Sequence, residues 1–353
     1  MIGYEYGNTR LRVRAGRLLD ADGYRGLLSS ATLDGMLGGL AGGPYGRAIE
    51  SALGRYRGLR RLDEAVRIHL SRQLADVLAF YSGEIRDRLR FYESRWDVRN
   101  IRTILRTLNQ PVHGEALGPF LVPAGNLDEA ALGELANQKD VRAAVDLLAA
   151  WQLPSPTVIR RLRHAMPGFL QNGDIAVLEA ALDGAFGDSI VDFVSDARSA
   201  DSLVSLLHED VDRLNLMGAL RRHQAGREVT LADSFLAMAG GRVSEQVWAE
   251  LVELDDRAEV AAKLDGLLPV TWRGPLAAWV EHGELWVLER ELDDAATEAG
   301  IARLRLGDPL GIDVPLGFII RKEAEARNLR LVGRAIVHDL AREDMFDRLV
   351  GVR

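Results

Sequence analysis

The sequence predicts an all-α fold made of three similar units of about 115 residues each, and three observations carry that expectation. First, one helical pattern occurs three times. Asp97, Asn100, Ile101, Ile104 and Arg106 read as acid-x-x-Asn-[Ile/Leu]-x-x-apolar-x-Arg. Asp212, Asn215, Leu216, Ala219 and Arg221 keep that spacing, and Glu325, Asn328, Leu329, Val332 and Arg334 keep it again. The asparagines differ by 115 positions (215 minus 100) and then 113 (328 minus 215). Second, another marker precedes each copy: Asp63 to Val66, Asp174 to Val177 and Glu284 to Val287, at distances of 34 (97 minus 63), 38 (212 minus 174) and 41 (325 minus 284). Third, aromatic content is only 6% against 47% hydrophobic residues, and no alternating β-branched run is bounded by hairpin turns. Units near 1–112, 113–228 and 229–353 follow.

In each repeated helix the acid, the Asn and both apolar positions share one arc of roughly 100°, while the Arg points the opposite way. A carboxylate or amide in a buried seam is costly without a hydrogen-bond partner, so a neighbouring helix end or backbone amide is expected there. Two readings of these residues are open: a clamp within or between units, or direct contact with another protein.

The remaining elements follow in order. Tyr6 to Leu19, with Leu11, Val13, Leu18 and Leu19 set among Arg10, Arg12, Arg14 and Arg17, reads as an arginine-rich helix. Those four arginines either face acidic groups of a partner or are solvated or paired internally. Asp20 to Gly23 is expected to break the helix, and the next to begin near Thr32 or Asp34, whose side chains can cap free amides. Six glycines from Gly35 to Gly46 loosen it, each interior one costing about 1 kcal/mol against Ala. A phosphate loop is excluded there, because the only lysines are Lys139, Lys263 and Lys322 and none follows a glycine. The Asp63 marker opens a helix through Leu70, Leu74, Val77, Leu78 and Tyr81; the other two lead on to Leu178 and Leu182, and to Leu288 and Leu292.

After the first two Asn helices, Phe120-Leu121 and Ala124-Gly125 correspond to Phe235-Leu236 and Ala239-Gly240. One helix is expected after each, through Leu132, Leu135, Val141 and Val145 and through Val247, Leu251, Leu254 and Val260. Pro154 and Pro156, and then Pro269 and Pro275, break the chain. A helical pattern through Ile336, Leu340 and Leu349 closes the last unit.

The net charge of −8 argues against nucleic acid as a partner of the whole chain. It is uneven: residues 1–110 hold 19 Arg and 12 acids (+7), leaving 25 basic and 40 acidic residues (−15) in the rest. Such asymmetry fits solvated helix faces or an acidic partner for one end. Cysteine is absent, which removes disulfides, thiolate nucleophiles and Cys-based metal sites. The start MIGYEYGNTR has no apolar signal core, and no stretch of about 18 apolar residues exists, so membrane insertion is not expected. Histidines 69, 113, 164, 208, 223, 282 and 338 form no zinc spacing, and Gly-x-Ser-x-Gly is missing. His208-Glu209-Asp210, the densest titratable cluster, reads as a solvated helix start. No catalytic, metal or cofactor site is expected, and the markers are structural residue types spread over three units.

Taken together these markers resemble the C subunit of the V/A-type (vacuolar/archaeal-type) ATPases and ATP synthases, a family whose eukaryotic member is the d subunit. The resemblance is carried by Tyr6-Gly-Asn8-Thr-Arg10-Leu-Arg12, by Tyr92 to Arg106 with its Trp-Asp-Val-x-Asn core, and by Asp308-Pro-Leu-Gly311 followed by Glu325-x-x-Asn328-Leu-Arg330. It implies three helical repeats forming a funnel around a pseudo-threefold axis, and a non-catalytic component of the central stalk, or rotor. Such a component would be cytoplasmic and peripheral to the membrane. It would couple the central axle, made of the D and F subunits, to the membrane proteolipid (c/K) ring for ATP-linked proton or sodium transport, without binding nucleotide or ion. The bulk properties also fit an α-solenoid adaptor that holds another protein in a concave surface.

Overall fold

A computed structural model describes residues 3–110, 117–196, 201–225, 239–254 and 256–352, and among these every regular element is helical. The helices are α1 (Tyr4–Ala15), α2 (Ala21–Leu28), α3 (Leu33–Ala41), α4 (Gly46–Leu53), α5 (Leu59–Ala79), α6 (Gly83–Glu93), α7 (Arg95–Leu108), α8 (Glu129–Ala136) and α9 (Val141–Trp151). They continue as α10 (Pro156–Asn172), α11 (Ala176–Asp196), α12 (Ser202–Ala225), α13 (Glu245–Glu253), α14 (Arg257–Leu264), α15 (Arg273–His282), α16 (Leu285–Leu306), α17 (Asp313–Val337) and α18 (Arg342–Phe346). Among the described residues no helix is long and apolar enough to cross a membrane.

Two compact units divide the chain. One comprises Met1–Trp96, Gly114–Gly133 and Thr297–Arg353, the other Asp97–His113 and Glu134–Ala296. The first is built around α17, which packs against α1, α2, α3, α5 and α18. Sixteen of its 25 residues are buried, from Val314 to Ala335, so apolar positions occur on all sides, as a central helix requires. Close approach needs small residues here. A Cβ on Gly317 would lie 2.6 Å from the backbone N of Leu304 on α16, and one on Gly333 would collide with the Leu62 side chain on α5. The second unit pairs α10 with α11, α12 with α13 and α14 with α15. Leu216, Leu220, Val243, Leu251, Trp272, Trp279, Leu288 and Leu292 contribute to its core.

Local chemistry explains several helix starts. The side chains of Asp20, Thr32, Asp140, Ser155, Ser244 and Asp256 each accept a hydrogen bond from a first-turn amide, satisfying one of the donors a helix N-terminus leaves over. The three long helices α5, α11 and α16 share a further device: Gly58, Gly173 and Gly283, with φ of +58°, +70° and +76°, turn the chain shortly before each. Only glycine adopts that conformation without strain.

Several expectations change. The arginine-rich helix ends at Ala15, and Asp20 starts a helix of its own, since its carboxylate caps Gly23 N at 2.9 Å. The helix expected through Leu132 and Val145 is two, α8 and α9, with Asp140 capping the second; likewise Val247 and Val260 lie on α13 and α14, with Asp256 as the cap. Asp63 does not open its helix but sits in the second turn of α5, which begins at Leu59. The C-terminal pattern is interrupted at Asp339, where φ is +50°. Phe235-Leu236 and the unit boundaries at 112/113 and 228/229 lie outside the described residues.

Two glycine substitutions separate packing from helix propensity. Gly317→Ala is expected to lower stability by about 1–3 kcal/mol because the added methyl overpacks α16. Gly38→Ala, at an exposed position of α3 with nothing within 4 Å of the new Cβ, is expected to gain about 0.5–1 kcal/mol. Chemical denaturation of both variants checks the opposite signs.

Candidate functional site

The repeated Asn helices are α7, α12 and α17, and their inward faces are buried. Asp97, Asn100, Ile101 and Ile104 are buried on α7; Asp212, Asn215, Leu216 and Ala219 on α12; and Glu325, Asn328, Leu329 and Val332 on α17. On α12 the acid and amide divide one task. Asn215 Nδ2 donates to the carbonyl of Val243 at 2.8 Å, while Asp212 Oδ1 accepts from Val243 N–H at 2.8 Å. Burial raises the Asp212 pKa, and the backbone donors of Val243 and Arg242 pull it the other way. On α17 the amide does both: Asn328 donates to the carbonyl of Val350 at 2.9 Å and accepts from its N–H at 3.1 Å. An amide side chain carries both the donor and the acceptor that such a backbone segment lacks.

Relieved of that task, Glu325 takes other donors. Its carboxylate accepts from Leu19 N–H at 2.7 Å, from the Tyr45 hydroxyl at 2.7 Å and from the Lys322 ammonium. Lys322 lies 4.7 Å from the Tyr45 ring centroid, and the His69 ring stacks on that ring at 4.0 Å. Burial lowers the Lys322 pKa against the pull of Glu325. Burial, and then the charges of Lys322, Arg72 and Arg14, press His69 down to about 3, against a backbone hydrogen bond to Pro44. A recess of about 10 Å³ beside Glu325, lined by Leu19, Tyr24, Asn328 and Val350, is far smaller than the ~300–1,000 Å³ of ordinary ligand pockets.

The outward arginines of the three helices also have a common use. Arg106 pairs with Glu179 on α11 at 2.7 Å, Arg221 with Glu289 on α16 at 2.7 Å, and Arg334 with Asp63 on α5 at 3.7 Å. A second arginine supports each: Arg102 reaches Asp183, Arg213 reaches Asp293 at 2.5 Å, and Arg330 reaches Asp63 at 3.4 Å. Each Asn helix thus meets the acids near the start of a long helix, with α17 meeting the earliest of them. This pairing revises the alignment of the markers. Asp63 plays the part of Glu179 and Glu289, not of Asp174 and Glu284, which precede their helices.

The four N-terminal arginines separate by role. Arg14 is held by Asp76 at 2.7 Å and Gln73 at 3.4 Å, and it stacks on Phe80. Arg10 stacks on Tyr6 and Phe80, and Arg12 and Arg17 are exposed. Asn8, legible in the sequence only as part of a motif, is a buried fastener: Nδ2 donates to the carbonyls of Pro309 at 2.9 Å and Gly311 at 3.0 Å, and Oδ1 accepts from Tyr81 at 2.6 Å.

Sequence reasoning misses Tyr45, His69 and Glu93. Lys322 stands out there only as one of three lysines, although a lysine inside an apolar run is itself a signal. Glu93 is wholly buried and neither oxygen has a hydrogen-bond partner among the described residues. Burial pushes its pKa up to about 9 against the charge of Arg95, with Glu323 adding to the rise and Arg90 opposing it. Its neighbour Arg95 instead pairs bidentately with Glu323, at 2.8 and 3.2 Å, and Trp96 Nε1 donates to the same carboxylate at 2.9 Å. Among the described residues no group of three His, Asp or Glu is placed to hold a metal. His208-Glu209-Asp210 falls inside α12, not at its start.

These helices have known relatives. The family described as "ATP synthase (C/AC39) subunit" matches residues 7–348. The chain belongs to the ATP synthase (C/AC39) subunit family. The C subunit of the A-type ATP synthase of Methanothermobacter thermautotrophicus is 27% identical over 338 residues, covering 94% of this chain and 83% of the relative. That of Methanocaldococcus jannaschii is 22% identical over 354 residues, covering 99% and 86%. The C subunit of the V-type ATP synthase of Deinococcus radiodurans is 24% identical over 344 residues, covering 97% and 90%. The chain is accordingly a subunit of a rotary ATPase, and a structural one, not a catalytic one.

Two measurements probe this polar architecture. Asn215→Leu leaves the buried carbonyl of Val243 without its donor and is expected to cost about 1–3 kcal/mol, read as a lower melting temperature. For Glu93, the unfolded chain releases its proton near 4.5 while the native chain keeps it to about 9. Its contribution to stability therefore falls as pH rises across that window. Glu93→Gln removes the dependence, so its advantage over the parent protein should grow from near zero at about pH 5 to on the order of 1–3 kcal/mol at about pH 8. Denaturation of both proteins across that range reads the difference.

Proposed function

We propose that the chain is the central-stalk socket of a rotary V/A-type ATPase or ATP synthase. In this reading it sits on the cytoplasmic face of the membrane proteolipid ring, receives the foot of the D and F axle, and passes torque between them during ATP-linked proton or sodium transport. It binds no nucleotide and no coupling ion. The family match across residues 7–348 is the observation that carries the proposal. The thrice-repeated docking of an Asn helix on acids near the start of a long helix, with the third falling on α5 near the start of the chain, supports three like units closing on one another around a pseudo-threefold axis. Closure suits a torque path, because an open array of repeats is held only by nearest-neighbour contacts.

The deciding experiment is a pull-down from detergent-solubilised native membranes with a tagged copy of the chain, the co-purifying proteins being identified by mass. A small apolar proteolipid, a helical axle protein and the ATP-hydrolysing head are expected together. Recovery of other proteins without proteolipid or axle would overturn the socket and favour an adaptor that holds a different protein.

A further inference from the structure

Of the exposed residues of α1, one line is formed by Tyr6, Arg10 and Val13, beside a second line of Glu5, Thr9 and Arg12. Tyr6, Arg10 and Val13 succeed one another at spacings of four and three, and Arg17 follows four positions on, just past the C-cap Gly16. At about 100° per residue Tyr6, Arg10 and Val13 lie within roughly 60° of one another. Gly7, Asn8 and Leu11 occupy the buried side. Tyr6 is 51% exposed and Val13 63%, large for apolar side chains. Spacing of four, three and four is how a helix offers a seam to a second helix.

Charge specifies what that second helix carries. The Arg10 guanidinium lies 4.7 Å from the Tyr6 ring centroid and 5.4 Å from that of Phe80. Stacking fixes the plane of the fork while its N–H edge stays available for a carboxylate. Among the described residues Arg10 and Arg17 form no ion pair, although Arg14 on the same helix is consumed by Asp76. Orienting an arginine without giving it an internal acid prepares it for an external one.

We infer that the Tyr6, Arg10, Val13 and Arg17 face of α1 docks an acidic α-helix of another protein of the complex. Its carboxylates meet Arg10 and Arg17, and an apolar side chain lies over Tyr6 and Val13. The inference rests on the proposed place of the chain in a rotary ATPase, and it names the face and the chemistry of the partner. A lipid surface fits less well. Helices that lie on membranes need a broad apolar side, and the outward side of α1 offers one ring and one valine.

The test places a photo-cross-linking residue at Val13 in the tagged full chain and irradiates the complex assembled in native membranes. The expected adduct is a peptide of another ATPase component, net negative, with apolar residues spaced by three and four. Arg10→Glu with Arg17→Glu should cut the adduct at least about tenfold, as loss of two central interface arginines would. Arg12→Glu, roughly 120° around the helix, should leave it unchanged. All variants should melt at the parent temperature. A complex that assembles with no adduct at Val13, with lipid as the adduct, or with a yield indifferent to the double reversal would overturn the docking face alone. Failure of the unlabelled chain to recover any ATPase component would overturn the socket reading and this one with it.

Discussion

The interaction on which the rest of the structure depends is the hydrogen bonding of one buried backbone segment by an asparagine on a long helix. Val243 and Val350 each enter the interior as irregular chain, where an unpaired N–H or C=O costs about 1–3 kcal/mol. A leucine at Asn215 or Asn328 would pack at least as well, but it would leave these backbone groups bare. The amide is therefore favoured despite its own desolvation, because it closes the carbonyl at both places and, at Val350, the N–H as well. On α12 the carboxylate of Asp212, one turn earlier, takes the N–H while Asn215 takes the C=O. On α17 Asn328 takes both, and Glu325 is released to gather Leu19, Tyr45 and Lys322. The same three-residue spacing thus performs two different divisions of labour.

With the inward face fixed in this way, the outward arginines set register more than stability. Arg106 and Arg221 are 59% and 45% exposed, and ion pairs in such positions contribute about 0–1 kcal/mol. Their value is directional, since a helix slipped by one turn would carry its arginine past the facing acid. Asp63 is the exception. Its side chain is only 6% exposed, and burial raises its pKa against Arg334 and Arg330. Removing the arginines there would strand a buried carboxylate, which is far more costly than losing a surface pair.

Periodicity makes the helices, the three Asn positions and their inward and outward sides legible, because a spacing of three and four translates directly into a face. It does not reveal what those faces meet. Val243 lies 28 residues beyond its asparagine and Val350 only 22 beyond its own, with no pattern shared between them. Tyr45 lies 280 positions from Glu325 and carries no helical signal. Glu93, between Arg90 and Arg95, has the local sequence of a solvated turn, and only the packing around it makes it a buried acid. The breaks before α9 and α14 escape a sequence reading because Asp140 and Asp256 are two acids among many, and a capping role shows only when the amide above is in place. The marker at Asp63 aligns with the wrong residues for a related reason. An acid followed two positions on by Ala-Val occurs at the start of one long helix and inside another, and the side-chain pairing decides between them.

The buried polar groups bear on what such a protein can transmit. Apolar packing is non-directional, so two helices joined only by leucines can slide or rotate with partial compensation at each step. A backbone segment held by Asn328, a carboxylate shared by Leu19, Tyr45 and Lys322, and loop carbonyls held by Asn8 admit no such compensation, because each displacement strands a desolvated donor or acceptor. Around α17 these fastenings join the start of the chain to its end: Asn8 bonds to residues 301 and 303 positions away, and Glu325 to one 306 positions away. The long separations matter mechanically. A load applied to α1 is carried to α17 and the turn before it through hydrogen bonds that fail only at substantial cost, without passing along the intervening chain. In the proposed place between a turning axle and a ring, that is the property selection would act on. It accounts for charge and amide at positions where hydrophobic side chains alone would have satisfied the fold.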